Sequence, residues 1–292
     1  MFVTKGRVWR PRRILLYGQH GVGKSTFAAG APQPVFLDCE DGLNDLDVAK
    51  TPLLKSYGDV LSAISYLGQS LDKFQTVVVD TADWLQSLLF AQIAHDASKK
   101  SIEEIAYGRG YKMAETKWHE LLNHLDHLRA NGKHVVFLAH AKIARFESPE
   151  TNSYDRYEPD LHAVGSSVLQ EWCDEVLFAS FRVFTRTEDQ GFNRERAIAV
   201  GGKERFIRTS ESAAALAKNR LGLPDELPMT WAALAQFIPP KPATQQLAQP
   251  AGNIAGIVND GSSKKTVEQL NEEELAAGKH AVLTESGELV RY

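Results

Sequence analysis

The sequence predicts an α/β fold: a mainly parallel sheet flanked by helices, with an antiparallel hairpin at one edge. Three observations predict it. Short uninterrupted apolar runs alternate with amphipathic stretches of helical period, the pattern of strands buried on both faces. The first run enters a glycine-rich loop that opens a helix. Two late strand-like runs flank Gly201-Gly202 and read as a hairpin with its turn at the glycines.

The elements follow in order. Ile14–Tyr17 is the first apolar run, and a short helix over Lys24–Ala29 follows its loop. Val35–Asp38 is the second run. Val60, Ile64, Leu67 and Leu71 are spaced four, three and four apart, which predicts a helix over about 59–71. Thr76–Asp80 holds three valines and then an aspartate. Leu85, Leu88, Leu89 and Ile93 mark a helix over about 83–97, and Trp118, Leu121, Leu122, Leu125 and Leu128 another over about 111–130. Val135–Ala139 and Val176–Phe181 are further strands, and Ala197–Val200 with Arg205–Arg208 form the expected hairpin.

These elements place residues 1–238 in one core domain. Pro239, Pro240, Pro242 and Pro250, set among Gln, Ala and Gly, make 239–264 a linker. Residues 265–292 read as an acidic tail, where Thr266 caps a short helix through Leu275 that ends at Gly278.

Composition excludes several classes. Charged residues make up 24% and hydrophobic ones 43% of 292 residues, which is incompatible with wholesale disorder. No apolar run of about 18 residues exists, so no membrane association is expected. The basic start MFVTKGRVWRPRR has no apolar stretch behind it and is not a secretory signal. Two cysteines, Cys39 and Cys173, are too few for a disulfide framework or zinc site, and suggest a cytoplasmic protein. With a net charge of −4, any nucleic-acid contact has to come from a local basic patch.

Residues 18–25, Gly18-Gln19-His20-Gly21-Val22-Gly23-Lys24-Ser25, follow the phosphate-loop spacing G-x-x-x-x-G-K-[ST] in its required strand–loop–helix setting. Glycines free backbone N–H groups to wrap phosphates, and the helix N-terminus adds positive partial charge. Lys24, expected to face solvent in the loop, reaches toward β- and γ-phosphates. Ser25 binds Mg²⁺, and Thr26 reaches the α-phosphate. ATP and Mg²⁺ are therefore the expected ligands. Asp80, ending a buried strand, suits the Mg²⁺ side of the same site. Glu40, in the acidic loop Cys39-Glu40-Asp41, lies on the ligand side of a parallel sheet and is a candidate to orient or deprotonate the attacking water.

The segments GQHGVGKST (18–26), VFLDCEDGL (35–43), TVVVDTADWL (76–85), VVFLAHAK (135–142) and AKNRLGLP (217–224) together resemble the RecA-type recombinase and ring-helicase core. The resemblance is nearest to the small phage RecA-like ATPases of single-strand annealing and recombination. It implies a RecA-like P-loop ATPase whose Glu40 matches the catalytic glutamate. His140 stands at the γ-phosphate sensor position, where RecA itself has glutamine. It implies sites completed between subunits of a ring or filament, with a K-x-R pair acting in trans. Lys203/Arg205 and Lys218/Arg220 are the candidates, the second being closer to the ring-helicase pattern. Single-stranded DNA is the implied partner, with a single-strand-binding protein as a possible further one. By position, a first DNA loop would carry Lys99, Lys100, Arg109 and Lys112 with Tyr107 and Tyr111, hinged at Gly108 and Gly110. A second would be 143–165, whose acidic residues weaken the case. Only residues 1–13 precede the first strand, too few for RecA's N-terminal packing helix. A ring translocase or helicase, and an ATP-gated scaffold that binds no DNA, are the alternative functions.

Overall fold

The computed structural model describes residues 9–148, 151–189, 195–241, 281–283 and 289–291. The chain divides into two units, Met1–Pro242 and Ala243–Tyr292. The described part of the second is a two-stranded antiparallel ladder, Ala281–Leu283 with Leu289–Arg291. The expected tail helix at 266–275 lies outside the described residues.

The first unit is built on a 10-stranded sheet. Its central parallel strands are β1 (Arg13–Gly18), β2 (Pro34–Asp38), β4 (Thr76–Asp80) and the first part of β5 (His134–Phe146), with β3 (Ala49–Lys50) at one edge. Strand β5 lies between β1 and β4, and β7 (Glu175–Asp189) flanks β1 on its other side. From β7 outward the sheet turns antiparallel through β8 (Glu195–Arg208) and β10 (Glu226–Pro228). Strands β6 (Tyr154–Pro159) and β9 (Lys218–Asn219) pair antiparallel with β5 and β7. The mainly parallel sheet with an antiparallel edge hairpin is thus present.

Alternate residues of each strand feed two separate cores. Leu15, Tyr17, Val77, Val79, Val135 and Phe137 face helices α2 (Tyr57–Gly68), α3 (Ala82–Asp96), α4 (Arg109–Ala130) and α5 (Ala163–Trp172). Ile14, Leu16, Val78, Val136 and Leu138 face α1 (Lys24–Ala29) and α6 (Trp231–Ala235). Burial on both faces explains why the strands are apolar throughout and do not alternate with polar residues. Helix α2 starts where Ser56 accepts the Asp59 N–H at 3.0 Å. Helix α4 buries all five of its expected inward residues, with Trp118 fully enclosed. Truncating Trp118 to Ala would cost about 3–5 kcal/mol.

Two sequence expectations need correction here. Gly201-Gly202 is not the hairpin turn. Asp189 pairs with Glu195, and the glycines sit inside β8, where Gly201 pairs with Val183 just past a register shift. Gly202 takes φ 95°, so this is a bulge that bends the strand. The segment 143–165 is not an open loop. Ile143–Phe146 continues β5 and pairs in register with β6, and α5 begins at Ala163. The cross-strand pair Phe146–Tyr154 and the Arg156 guanidinium 3.9 Å above the Phe146 ring hold this hairpin together. Arg156 also pairs with Glu158 and Glu211, so its charge is committed within the chain.

Candidate active site

Parallel strands deliver side chains to their C-terminal ends. The ends of β1, β2, β4 and β5 converge on one cavity of about 350 Å³, lined by His20, Gly21, Lys24, Ser25, Glu40, Asp80, Thr81, His140 and Arg205 among others. The residues read from the sequence as phosphate, metal and catalytic candidates are therefore brought together, apart from Lys203, Lys218 and Arg220.

The loop between β1 and α1 needs its glycines. Gly21 and Gly23 have φ of 72° and 99°, backbone that side-chain-bearing residues rarely adopt. A Cβ on Gly23 would also meet Arg205 Nη1 at 2.8 Å. The cradle is thus closed on one side by a guanidinium of the same chain.

Lys24 does not face solvent as expected. It is only 7% exposed, and its ammonium donates to the Gly18 and Gln19 carbonyls at 3.1 and 3.2 Å. Burial lowers its pKa, while Glu40, Asp80 and Asp83 pull it back up. The Ser25 hydroxyl donates to Asp80 at 2.7 Å. Burial pushes the Asp80 carboxyl up to about 6, with the Ser25 hydrogen bond opposing. A buried carboxylate beside a hydroxyl is the hard-oxygen donor set that Mg²⁺ takes together with phosphate oxygens. The buried Thr81 hydroxyl has no hydrogen-bond partner among the described residues, although it lines the cavity. A buried orphan of this kind calls for a ligand or water. The donor set, the orphan and the glycine cradle all fit a nucleotide with Mg²⁺.

Asp38, directly before the Glu40 loop, accepts the Glu40 and Asp41 N–H groups at 3.3 and 2.8 Å and so turns the loop over the cavity. Glu40 Oε1 then lies 3.6 Å from His140 Nε2. The His140 ring stacks on His20 of the phosphate loop, centroids 3.8 Å apart.

Two residues of this centre escaped the sequence reading or were placed second. Asp83, at the start of α3, accepts the His140 backbone N–H at 3.0 Å and meets its Nδ1 at 2.8 Å. Burial raises the Asp83 carboxyl, but the His140 hydrogen bonds outweigh this and hold it below the usual range. No spacing rule in the sequence announces Asp83, because Asp80 ends a strand and Thr81 is extended before α3 begins at Ala82. Arg205 was the less favoured finger candidate, yet it is the one that lines the cavity.

Lys218 and Arg220 lie elsewhere. Lys218 pairs with Val176 in β9 and Arg220 follows Asn219, which pairs with Glu175, at the end of the sheet opposite Gly18. The Lys218 ammonium donates to the Gln170, Glu171 and Cys173 carbonyls at the end of α5. It serves as a helix cap in its own chain, so the expectation of a free lysine finger is corrected. Arg220 is half exposed and 3.5 Å from Asp174. Lys203 is exposed.

Lys99, Lys100, Arg109 and Lys112 are all exposed around the start of α4. The connection is more ordered than a glycine-hinged loop. Buried Ile102 anchors it, and Gly110 is a packed helical residue whose Cβ would lie 2.7 Å from Ile102. Tyr107 is 98% exposed, but Tyr111 stacks flat on His162 at 4.0 Å and is not free for bases. Glu103 and Glu104 are exposed beside the lysines, and Glu104 accepts the Lys100 N–H.

Among the described residues no helix is long and apolar enough to cross a membrane. Cys39 and Cys173 are buried free thiols.

Comparison with known proteins gives three findings. A family model described as an AAA domain matches residues 10–221. The SPbeta prophage-derived uncharacterized protein YorG of Bacillus subtilis (strain 168) is 26% identical over 133 residues, 44% of this chain and 40% of that protein. The match therefore spans well under two thirds of the relative. A solved KaiC-like protein from the hyperthermophilic archaeon Pyrococcus horikoshii OT3 is 14% identical with a TM-score of 0.36, over 68% of this chain and 78% of that one.

Proposed function

Because the chain belongs to the AAA domain family, whose model spans residues 10–221, we propose that it hydrolyses ATP with Mg²⁺ and couples this to binding single-stranded DNA in recombination or annealing. The observation that carries the ATPase reading is the convergence of Lys24, Ser25, Asp80, Glu40 and His140 on one cavity. Ser25 and Asp80 would hold Mg²⁺, which when bound neutralises charge on the phosphate oxygens. Lys24 leaves the Gly18 and Gln19 carbonyls for the β- and γ-phosphate oxygens. Glu40, in the lining of the cavity, takes the proton of the attacking water. Arg205 offers its guanidinium to charge developing on the transferred group.

The test is phosphate release alongside calorimetric nucleotide binding. Lys24→Ala is expected to lose both binding and turnover. Glu40→Gln is expected to bind ATP and turn it over about 100-fold or more slowly. Undiminished turnover in Lys24→Ala overturns the reading.

The DNA part rests on exposed Lys99, Lys100, Arg109 and Lys112 gathered beside exposed Tyr107, a set that suits phosphate contact and base stacking. The prophage origin of the YorG relative is in keeping with a phage recombination role. Affinity for oligo-dT should fall with salt by about 0.7 log units per log unit for each phosphate contacted. The triple variant Lys99→Glu/Lys100→Glu/Arg109→Glu is expected to lose most of this binding in fluorescence anisotropy. Unchanged affinity moves the DNA site elsewhere, and no binding by the unaltered protein under any nucleotide condition favours an ATP-gated scaffold.

A further inference from the structure

We infer that Asp83 is a positioning residue that sets the tautomer and orientation of His140, so that Nε2 is the ring atom presented to Glu40 and the nucleotide. The inference rests on the ATPase reading above. One carboxylate grips the histidine twice, at the backbone N–H through Oδ1 and at ring Nδ1 through Oδ2. A carboxylate held ionised only accepts hydrogen bonds, so Nδ1 must carry a proton. The hydrogen bonds from His140 keep the Asp83 carboxyl low in spite of its burial, in agreement with an ionised acceptor.

The rest of the ring's surroundings fix its plane. His20 stacks on one face at 3.8 Å, and Glu40 stands 3.6 Å from Nε2. The side chain is only 9% exposed, and a flipped ring would give up its Nδ1 contact with Asp83. Three segments therefore meet at one ring: the phosphate loop through His20, the β2 loop through Glu40, and α3 through Asp83. The carboxylate–histidine pair is a recurrent device for holding a catalytic imidazole in one tautomer. In this chain it determines which nitrogen meets the water and the terminal phosphate.

Asp83→Asn is nearly isosteric and tests the point sharply. The asparagine oxygen still accepts the backbone N–H, but its NH₂ now faces Nδ1 and requires an acceptor there. Nδ1 must give up its proton, leaving Nε2 as the protonated nitrogen. The experiment is ¹⁵N side-chain histidine NMR of the full chain, with the His140 signals identified by their loss in His140→Asn, together with steady-state ATPase kinetics. The expected result is Nδ1 protonated in the unaltered protein and bare in Asp83→Asn. The kcat of Asp83→Asn should fall about 10–100-fold while KM for ATP stays within about two-fold. Asp83→Glu keeps a carboxylate acceptor and should hold Nδ1 protonated and recover part of kcat. A bare Nδ1 in the unaltered protein overturns the inference, as does an unchanged kcat in Asp83→Asn. Equal losses in the Asn and Glu variants also overturn it, because they would mark Asp83 as packing alone. If the unaltered protein does not hydrolyse ATP at all, the ATPase reading falls, while the tautomer measurement still decides the role of Asp83.

Discussion

At the scale of single residues, burial of one histidine gives the fold a pH dependence. His134 begins β5, and its Nδ1 accepts the Arg12 N–H at 3.0 Å. Burial, with Arg12 and Arg129 adding to it, lowers its pKa from 6.5 to about 4. A depressed value means that the fold favours the neutral ring. The unfolded chain takes up a proton as pH falls below 6.5, and the folded chain does so only near 4. The contribution is therefore complete above about pH 6.5 and is lost as pH falls through about 4, with a ceiling of about 3 kcal/mol. His134→Asn keeps an oxygen for the Arg12 N–H and cannot titrate. Thermal melts from pH 7.5 down to 4.5 should show a shallower loss of Tm in the variant, and parallel curves would disprove the assignment. The same scale shows what a sequence displays. The phosphate loop was legible because its chemistry is local: glycines at fixed offsets are a backbone requirement that the sequence writes out. Asp83 was not, because it meets the site only through the pairing of β4 with β5, and Arg205 stood second because only the pairing of β7 with β8 carries it there.

At the scale of elements, the meeting of α4 and α5 pits propensity against packing. Gly165 lies inside α5, where Ala would gain about 1 kcal/mol of helix propensity. Its added Cβ would fall 2.6 Å from Gln86 Oε1 and 2.9 Å from the buried Trp118 Nε1. Neither neighbour yields easily. Gln86 accepts the His162 N–H at 3.0 Å at the start of the same helix, and Trp118 is fully buried against Phe137. Overpacking of a filled core costs about 1–3 kcal/mol, so packing wins. Gly165→Ala is expected to lower Tm by several degrees in differential scanning calorimetry, and a rise in Tm would show that the helices separate freely. Apolar spacing announced α2, α3 and α4 to within a few residues, because each helix presents one stripe to one sheet face. It did not announce the β5–β6 hairpin. Residues 143–158 mix charge and aromatics, and only the Phe146–Tyr154 and Tyr157–Phe178 contacts reveal which side is inward. The glycine pair at 201–202 misled for a related reason, since a bulge and a turn ask for the same residue.

At the scale of the molecule, the sheet separates chemistry from scaffolding. The C-terminal edge holds the phosphate loop, Glu40, Asp80 and His140. The opposite edge ties Arg12 to Glu175, and Arg13 and Arg129 to Asp174. Arg220 belongs to the second edge and Arg205 to the first, which makes a definite forecast about how sites are completed. Arg205 already stands over Gly23 of its own chain, so the forecast is that it serves the nucleotide of that chain. Take Arg205→Ala and Glu40→Gln proteins, each defective alone, and mix them at several ratios. If Arg205 served a neighbouring subunit, some interfaces in mixed assemblies would combine an intact Glu40 with an intact Arg205, and turnover would climb above the sum of the two mutants. With both residues serving the same nucleotide in the same chain, no mixture regains an intact site. The expected outcome is turnover that follows the weighted sum at every ratio, measured as phosphate release after subunit exchange. The parallel mixture of Arg220→Ala with Glu40→Gln is the control. Arg220 is half exposed and far from its own phosphate loop, so any role at a nucleotide has to be played in a neighbour's site, and recovery there alone would assign the fingers to two edges of the sheet.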